Sequence, residues 1–278
     1  MATTTEQGRT APTWVPWLLL APGGLWLVFF FLIPILSLGS KSLQHGGLHN
    51  YSQVWSDYGD VIFRTFRYSV AATLIAVALG YPLAYFIAMR GGRFKNVLLA
   101  AVVLPFFVTY LIRTLAWKIL LFSDGPVAGF LRFGGLLSKN GDILGTPWAV
   151  IGALVYNFLP FMVLPIYVSL EKVDRRLLEA GRDLFASPSR TFRKVTLPLS
   201  IPGVFAGSLL TFIPASGDFV NAELLGSDKT RMIGNIIEKN FQKDIFRPAI
   251  SALSFVLMLI ILAGVLVYAR LLGTEELV

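Results

Sequence analysis

The sequence predicts an all-α integral membrane protein with six transmembrane helices. Three observations carry that prediction. Charged residues make up only 14% of the 278 and hydrophobic ones 55%, whereas a soluble domain is about 25% charged. The few charges cluster, which leaves stretches of roughly 20 residues with none, long enough to cross about 30 Å of hydrocarbon. Proline recurs inside those stretches, at Pro16, Pro22, Pro34, Pro82, Pro105, Pro160, Pro165, Pro202 and Pro214. Soluble helices exclude it, but membrane helices tolerate it where neighbours or cavity water satisfy the freed carbonyls. That density favours helices broken around a solute cavity.

The charge-free runs give the spans in order: 14–38, 68–89, 97–112, 147–170, 197–217 and 248–269. The first is too long for a signal-peptide core, and no small-residue cleavage site follows Leu38, so it reads as a retained helix. The third is the shortest; residues 111–122 continue it, interrupted only by Arg113 and Lys118. Orientation follows from two dense basic loops. Residues 90–95 hold Arg90, Arg93 and Lys95, and residues 171–196 hold Lys172, Arg175, Arg176, Arg182, Arg190, Arg193 and Lys194. Short basic loops stay in the cytoplasm, which puts both termini there as well. The formal net charge of +8 reads as this loop bias, and nucleic acid is not an expected partner. With no Cys there is no disulfide framework or thiolate site. His45 and His49 have no evident third ligand, so no metal site and no cofactor on this chain are expected.

The loop 171–196 is the most patterned polar segment. Asp174 can cap a helix starting at Arg175, with Leu177, Leu178, Gly181, Leu184 and Phe185 on one face. Ser187 then reads as an N-cap with Pro188 at the first position of a second helix. Two uses fit this pattern equally: a docking knob for a soluble protein, or an interfacial helix on anionic lipid.

The substrate path is sought where polar and aromatic residues meet the spans. In the assigned topology the fifth span runs outward for roughly 30 Å, which places Asp218 and Glu223 at the outer mouth. Tyr110, Trp117, Tyr156 and Phe158 can receive ammonium groups through cation–π contact. Asn157 falls near mid-membrane, where a polar group is costly without a role. Arg113 is expected at the outer end of the third span, snorkelling toward water.

The loop also resembles the EAA motif of permease subunits of bacterial ABC importers, which reads E-A-A, three residues, G, nine residues, then hydrophobic-x-L-P. Here Glu179, Ala180 and Gly181 are followed by Phe185, then Val195, Leu197 and Pro198. Gly181 replaces the motif's second Ala and Phe185 its Gly. Further strings, 79–88, 104–121, 155–184 and 212–226, resemble the spermidine/putrescine permease subunits, with the likeness covering roughly 60–270. The resemblance implies a type I ABC importer permease fold in the bacterial cytoplasmic membrane. It divides the chain into a cytoplasmic tail 1–13, a first helix 14–38, a permease core 60–270 with the coupling loop 171–196, and a cytoplasmic tail 271–278. Glu179, Ala180, Gly181, Arg182, Asp183, Leu184, Phe185, Ala186 and Ser187 would then seat in a groove of a cytoplasmic ATPase dimer. ATP and Mg would be bound on that partner, since this chain has no G-x-x-x-x-G-K-[ST] loop. A second permease subunit and an extracytoplasmic substrate-binding protein complete the implied assembly. The expected cargo is a small polyamine. Another small solute, or a self-contained secondary carrier, is the alternative. The carrier would need intramembrane carboxylates or His for ion coupling, and the spans hold essentially none.

Overall fold

The computed structural model describes residues 14–135, 137–138, 141–243 and 247–272, and they form helices joined by turns. The tail 1–13 and nearly all of 271–278 lie outside the described residues. The first span comprises α1 (Val15–Leu27) and α2 (Ile33–Ser42), joined by a π turn over Val28–Leu32. Pro34 cannot donate to the carbonyl of Phe30, and the wider turn forms around that missing bond. The same occurs later: a π turn over Phe192–Thr196 precedes Pro198, which leaves the Lys194 carbonyl without its usual donor. In both cases the helix continues, so Trp17–Ser42 and Pro188–Gly217 are unbroken.

Helix α3 runs from His49 to Arg90, 42 residues, or about 63 Å. It is twice the length expected from the charge-free run 68–89. Its first turns carry Asp57, Asp60, Arg64 and Arg67, on the N-terminal side of the charge-free run. There they pack Val54 and Ile62 against Ile233, Leu253 and Val256 of α12 (Ile233–Lys243) and α13 (Pro248–Leu272).

The third span departs most from expectation. Gly92–Phe107, which contains α4 (Lys95–Val103), and α5 (Tyr110–Leu121) are bent by 93°, and the short α6 (Pro126–Phe133) follows them. Val108 and Thr109 are extended, with ψ of 136° and 134°, so the helical hydrogen bonds stop there. Among the described residues five helices are long and apolar enough to cross a membrane, six if this bent pair counts as one span.

The centre is α7 (Pro147–Glu171), the most buried of the spans. It packs against α3 and α10 (Leu197–Gly217). In lipid there is no hydrophobic gain from pairing two apolar helices, so close backbone approach has to supply the attraction. Glycine permits it. A Cβ at Gly203 would meet the Pro165 carbonyl oxygen at 2.5 Å, and one at Gly207 would meet the Met162 sulfur at 2.9 Å. On the other side a Cβ at Gly80 would reach Met162 Cγ at 3.0 Å. Met162 is therefore held between a glycine of α3 and a glycine of α10.

Candidate functional site

Two places combine polar chemistry with unusual geometry. The first is the loop after α7. Helix α8 (Arg175–Asp183) starts where Asp174 Oδ1 accepts from the Arg176 amide at 2.9 Å. Helix α9 (Pro188–Thr191) starts where Ser187 Oγ accepts from the Arg190 amide at 3.3 Å. Both expected caps are present, and α9 continues through the π turn into α10. The expected face is shorter than the spacing suggested, because Leu184 and Phe185 lie past the helix end. The Ala186 amide bonds back to the Gly181 carbonyl at 3.0 Å, a six-to-one closure that puts Phe185 in the left-handed region at φ 54°. That conformation suits the glycine this motif ordinarily has there. The Phe185 side chain is 97% exposed. Gly181 faces Thr191, whose Oγ1 would lie 3.1 Å from an added Cβ, and this clasps α8 to α9. Glu179, Ala180, Asp183 and Ser187 are exposed, and Ala186 is half-buried; Arg182 stands in the last turn of α8. Phe192 sets its ring edge-on to Tyr81 and Tyr85, 5.9 and 5.7 Å away, which roots the loop on α3.

Relieving the left-handed Phe185 is worth about 1 kcal/mol. Phe185→Gly is therefore expected to raise hydrogen-exchange protection of the Ala186 amide about 5-fold. A fall in protection would mean that the phenyl ring itself holds the turn.

The second place is a buried polar cluster at the helix break. Tyr110 opens α5 immediately after the extended pair, and its hydroxyl donates to Asp218 Oδ2. Asn221, in α11 (Val220–Leu225), donates from Nδ2 to the Tyr110 hydroxyl at 2.6 Å and from its amide to Asp218 Oδ1 at 2.9 Å. Thr114 donates to Asn221 Oδ1 at 3.0 Å, and Asn157 Nδ2 donates to the same oxygen at 3.2 Å. Asn157 Oδ1 is buried with no hydrogen-bond partner. Aromatic rings line one side: Phe158 lies 6.1 Å from Tyr110, and Phe106 lies 5.1 Å edge-on to Phe161.

This geometry revises several sequence expectations. Asp218 is not at an open outer mouth but is 7% exposed. The chain after Gly217 turns back as α11 and packs on α5 and α7, which covers the carboxylate. It is tied through Asn221 to Asn157, ten residues or about 15 Å into α7. Glu223 is not in the cluster; it pairs with Lys239 at 3.1 Å and accepts from Asn235 at 3.2 Å. Trp117 and Tyr156 pack edge-on with each other at 5.3 Å, outside the hydrogen-bonded network. Arg113 does not snorkel. The 93° bend turns it inward, where it is 7% exposed and lies over the rings of Phe106 and Tyr110 at 5.2 and 5.7 Å. Thr114 and Asn221 were not foreseen. The only sequence signal for them is their position one helical turn from Tyr110 and from Asp218.

The model for binding-protein-dependent transport system inner membrane components matches residues 76–273. The spermidine/putrescine transport system permease protein PotB of Haemophilus influenzae is 39% identical over 256 residues, covering 88% of this chain and 90% of that one. PotB of Escherichia coli K12 is 37% identical, covering 88% and 93%. The inner membrane ABC transporter permease protein YdcU of E. coli K12 is 35% identical, covering 78% and 72%. Among solved structures, a chain of a bacterial ABC transporter that imports the acidic polysaccharide alginate superposes with a TM-score of 0.75 at 16% identity, covering 95% and 96%. A chain of the MetNI methionine ABC transporter gives 0.58 at 17%, covering 77% and 93%. These two likenesses establish a shared fold. With the matched model spanning most of its length, the chain belongs to the family of binding-protein-dependent transport system inner membrane components.

Proposed function

We propose that this chain is a permease subunit of an ATP-driven importer that moves small polyamines of the spermidine/putrescine class inward. It is a multi-pass protein of the bacterial inner membrane. In this reading it spans six times, the bent pair counting as the third span, with both termini and the loop 171–196 in the cytoplasm. The first helix, 14–38, precedes a permease core over 60–270. Residues 179–187 engage a separate ATPase dimer, which binds the ATP and Mg. A second permease subunit completes the pathway and an extracytoplasmic binding protein delivers cargo.

The observation that carries the cargo reading is the buried cluster around Asp218. It offers a carboxylate, an unpaired amide oxygen on Asn157 and an aromatic wall, which together match an ammonium group on a hydrocarbon chain. The names of the most similar PotB relatives support the same class. Neighbouring helices close in on the cluster where α4 and α5 separate, as expected for a mid-membrane binding point.

Asp218→Asn tests it. The amide keeps the shape of the carboxylate and loses its charge. A hydrogen bond to a charged group is worth about 1.5–3 kcal/mol. Uptake of labelled spermidine by the reconstituted complex is therefore expected to fall about 10- to 100-fold, with assembly retained. Wild-type uptake in this variant would remove Asp218 from the path.

A further inference from the structure

Arg113 is a buried cation without a conventional partner. Among the described residues no carboxylate lies within ion-pair distance of it, and its Nε is buried with no hydrogen-bond acceptor. Buried donors are nearly always paired, and a buried guanidinium without a counter-charge is expensive. What it has instead is the aromatic platform of Phe106 and Tyr110. Tyr110 is also the residue whose hydroxyl donates to Asp218. The guanidinium therefore occupies the place where the path offers its best cation–π surface.

We propose that Arg113 is the resident cation of the path, seated on the Phe106–Tyr110 platform when no cargo is present and excluding stray small cations from the cluster. This rests on the reading of the Asp218 cluster as part of the path. With Arg113 seated, the cluster holds one positive and one negative group and is neutral overall. The guanidinium lowers the affinity of a lone cation for Asp218 roughly 100-fold, through repulsion over about 6 Å at an effective dielectric of about 20. A lone small cation does not overcome that. A polyamine does: one ammonium group takes the platform, the other meets Asp218 and the Asn157 oxygen, and the guanidinium swings aside. The planar, permanently charged head of arginine suits a group that must stack on a ring and never lose its charge.

The test is passive leak through the complete complex in vesicles without ATP, read with two solutes of similar size, labelled choline, a lone monovalent cation, and labelled erythritol, which is neutral. Arg113→Gln is expected to raise choline leak at least 10-fold and to leave erythritol leak unchanged. Arg113→Lys is expected to stay tight to both. Phe106→Leu, at a half-exposed position that tolerates the change, removes part of the platform and is expected to give an intermediate, choline-only leak. It carries the test if Arg113→Gln fails to assemble. Equal leak of both solutes would make Arg113 a packing residue and overturn the proposal. Leak of neither solute from the assembled variants would overturn it too, as would assembly lost in Arg113→Gln with a tight Phe106→Leu, the pattern of a guanidinium paired with a carboxylate on a partner subunit. The path reading fails separately, on normal uptake in Asp218→Asn.

Discussion

Glu179→Lys is expected to abolish ATP-driven uptake while membrane insertion stays at the wild-type level. Glu179 is exposed on α8. Exposed substitutions of this kind change folding stability by no more than about 0.5 kcal/mol. Whatever the reversal of charge destroys must therefore lie on another protein. Loss of ATP hydrolysis stimulated by the binding protein, measured on the same vesicles, locates the defect at the ATPase contact rather than in the path. Deleting residues 180–186 removes the knob and its Schellman closure together, and uptake should be lost just as completely. Normal uptake in either variant would detach this loop from energy coupling.

Gly203→Leu is expected to be the most damaging single change to the fold. Its Cβ alone would sit 2.5 Å from the backbone oxygen of Pro165 and 2.6 Å from Ser169 Oγ. No rotamer relieves a contact with backbone, so α10 must move off α7. Overpacking of this kind costs about 3 kcal/mol, and here it falls on the pairing that holds the central helix in place. Midpoint unfolding in detergent should drop sharply, and yield of the assembled complex with it. Gly152, on α7 with open space around it, is the control: Gly152→Ala should be silent. A wild-type midpoint for Gly203→Leu would mean that α7 and α10 are not in backbone contact.

What the sequence disclosed divides by range. The caps at Asp174 and Ser187 were legible because an Ncap is a contract between residues two or three apart. The apolar runs were legible because lipid demands them. Helix α3 was read at half its length, since a search for uncharged stretches finds the membrane-embedded part of a helix and stops at Arg67. Pro105 was visible in the third span, but the bend falls at Val108 and Thr109, two residues whose types do not mark a break. The errors about Arg113 and Tyr110 follow from that bend. A straight third span carries Arg113 to the surface; a bent one delivers it to the aromatic wall and sets Tyr110 beside Asp218, 108 residues away. The left-handed Phe185 was hidden for the opposite reason: the residue argues against the conformation, and only the Ala186–Gly181 bond imposes it.

The helix Pro188–Gly217 is continuous over 30 residues, about 45 Å at 1.5 Å per residue. Its foot stands one residue beyond Ser187 and its head one residue short of Asp218. The two regions therefore share one continuous helix, with the Phe192 ring edge-on to Tyr81 and Tyr85 near its foot. In the proposed function, a tilt of the knob by the ATPase is expected to move the carboxylate's surroundings. On that reading, nucleotide state at the foot of the helix and cargo affinity at the Asp218 cluster should rise and fall as one variable.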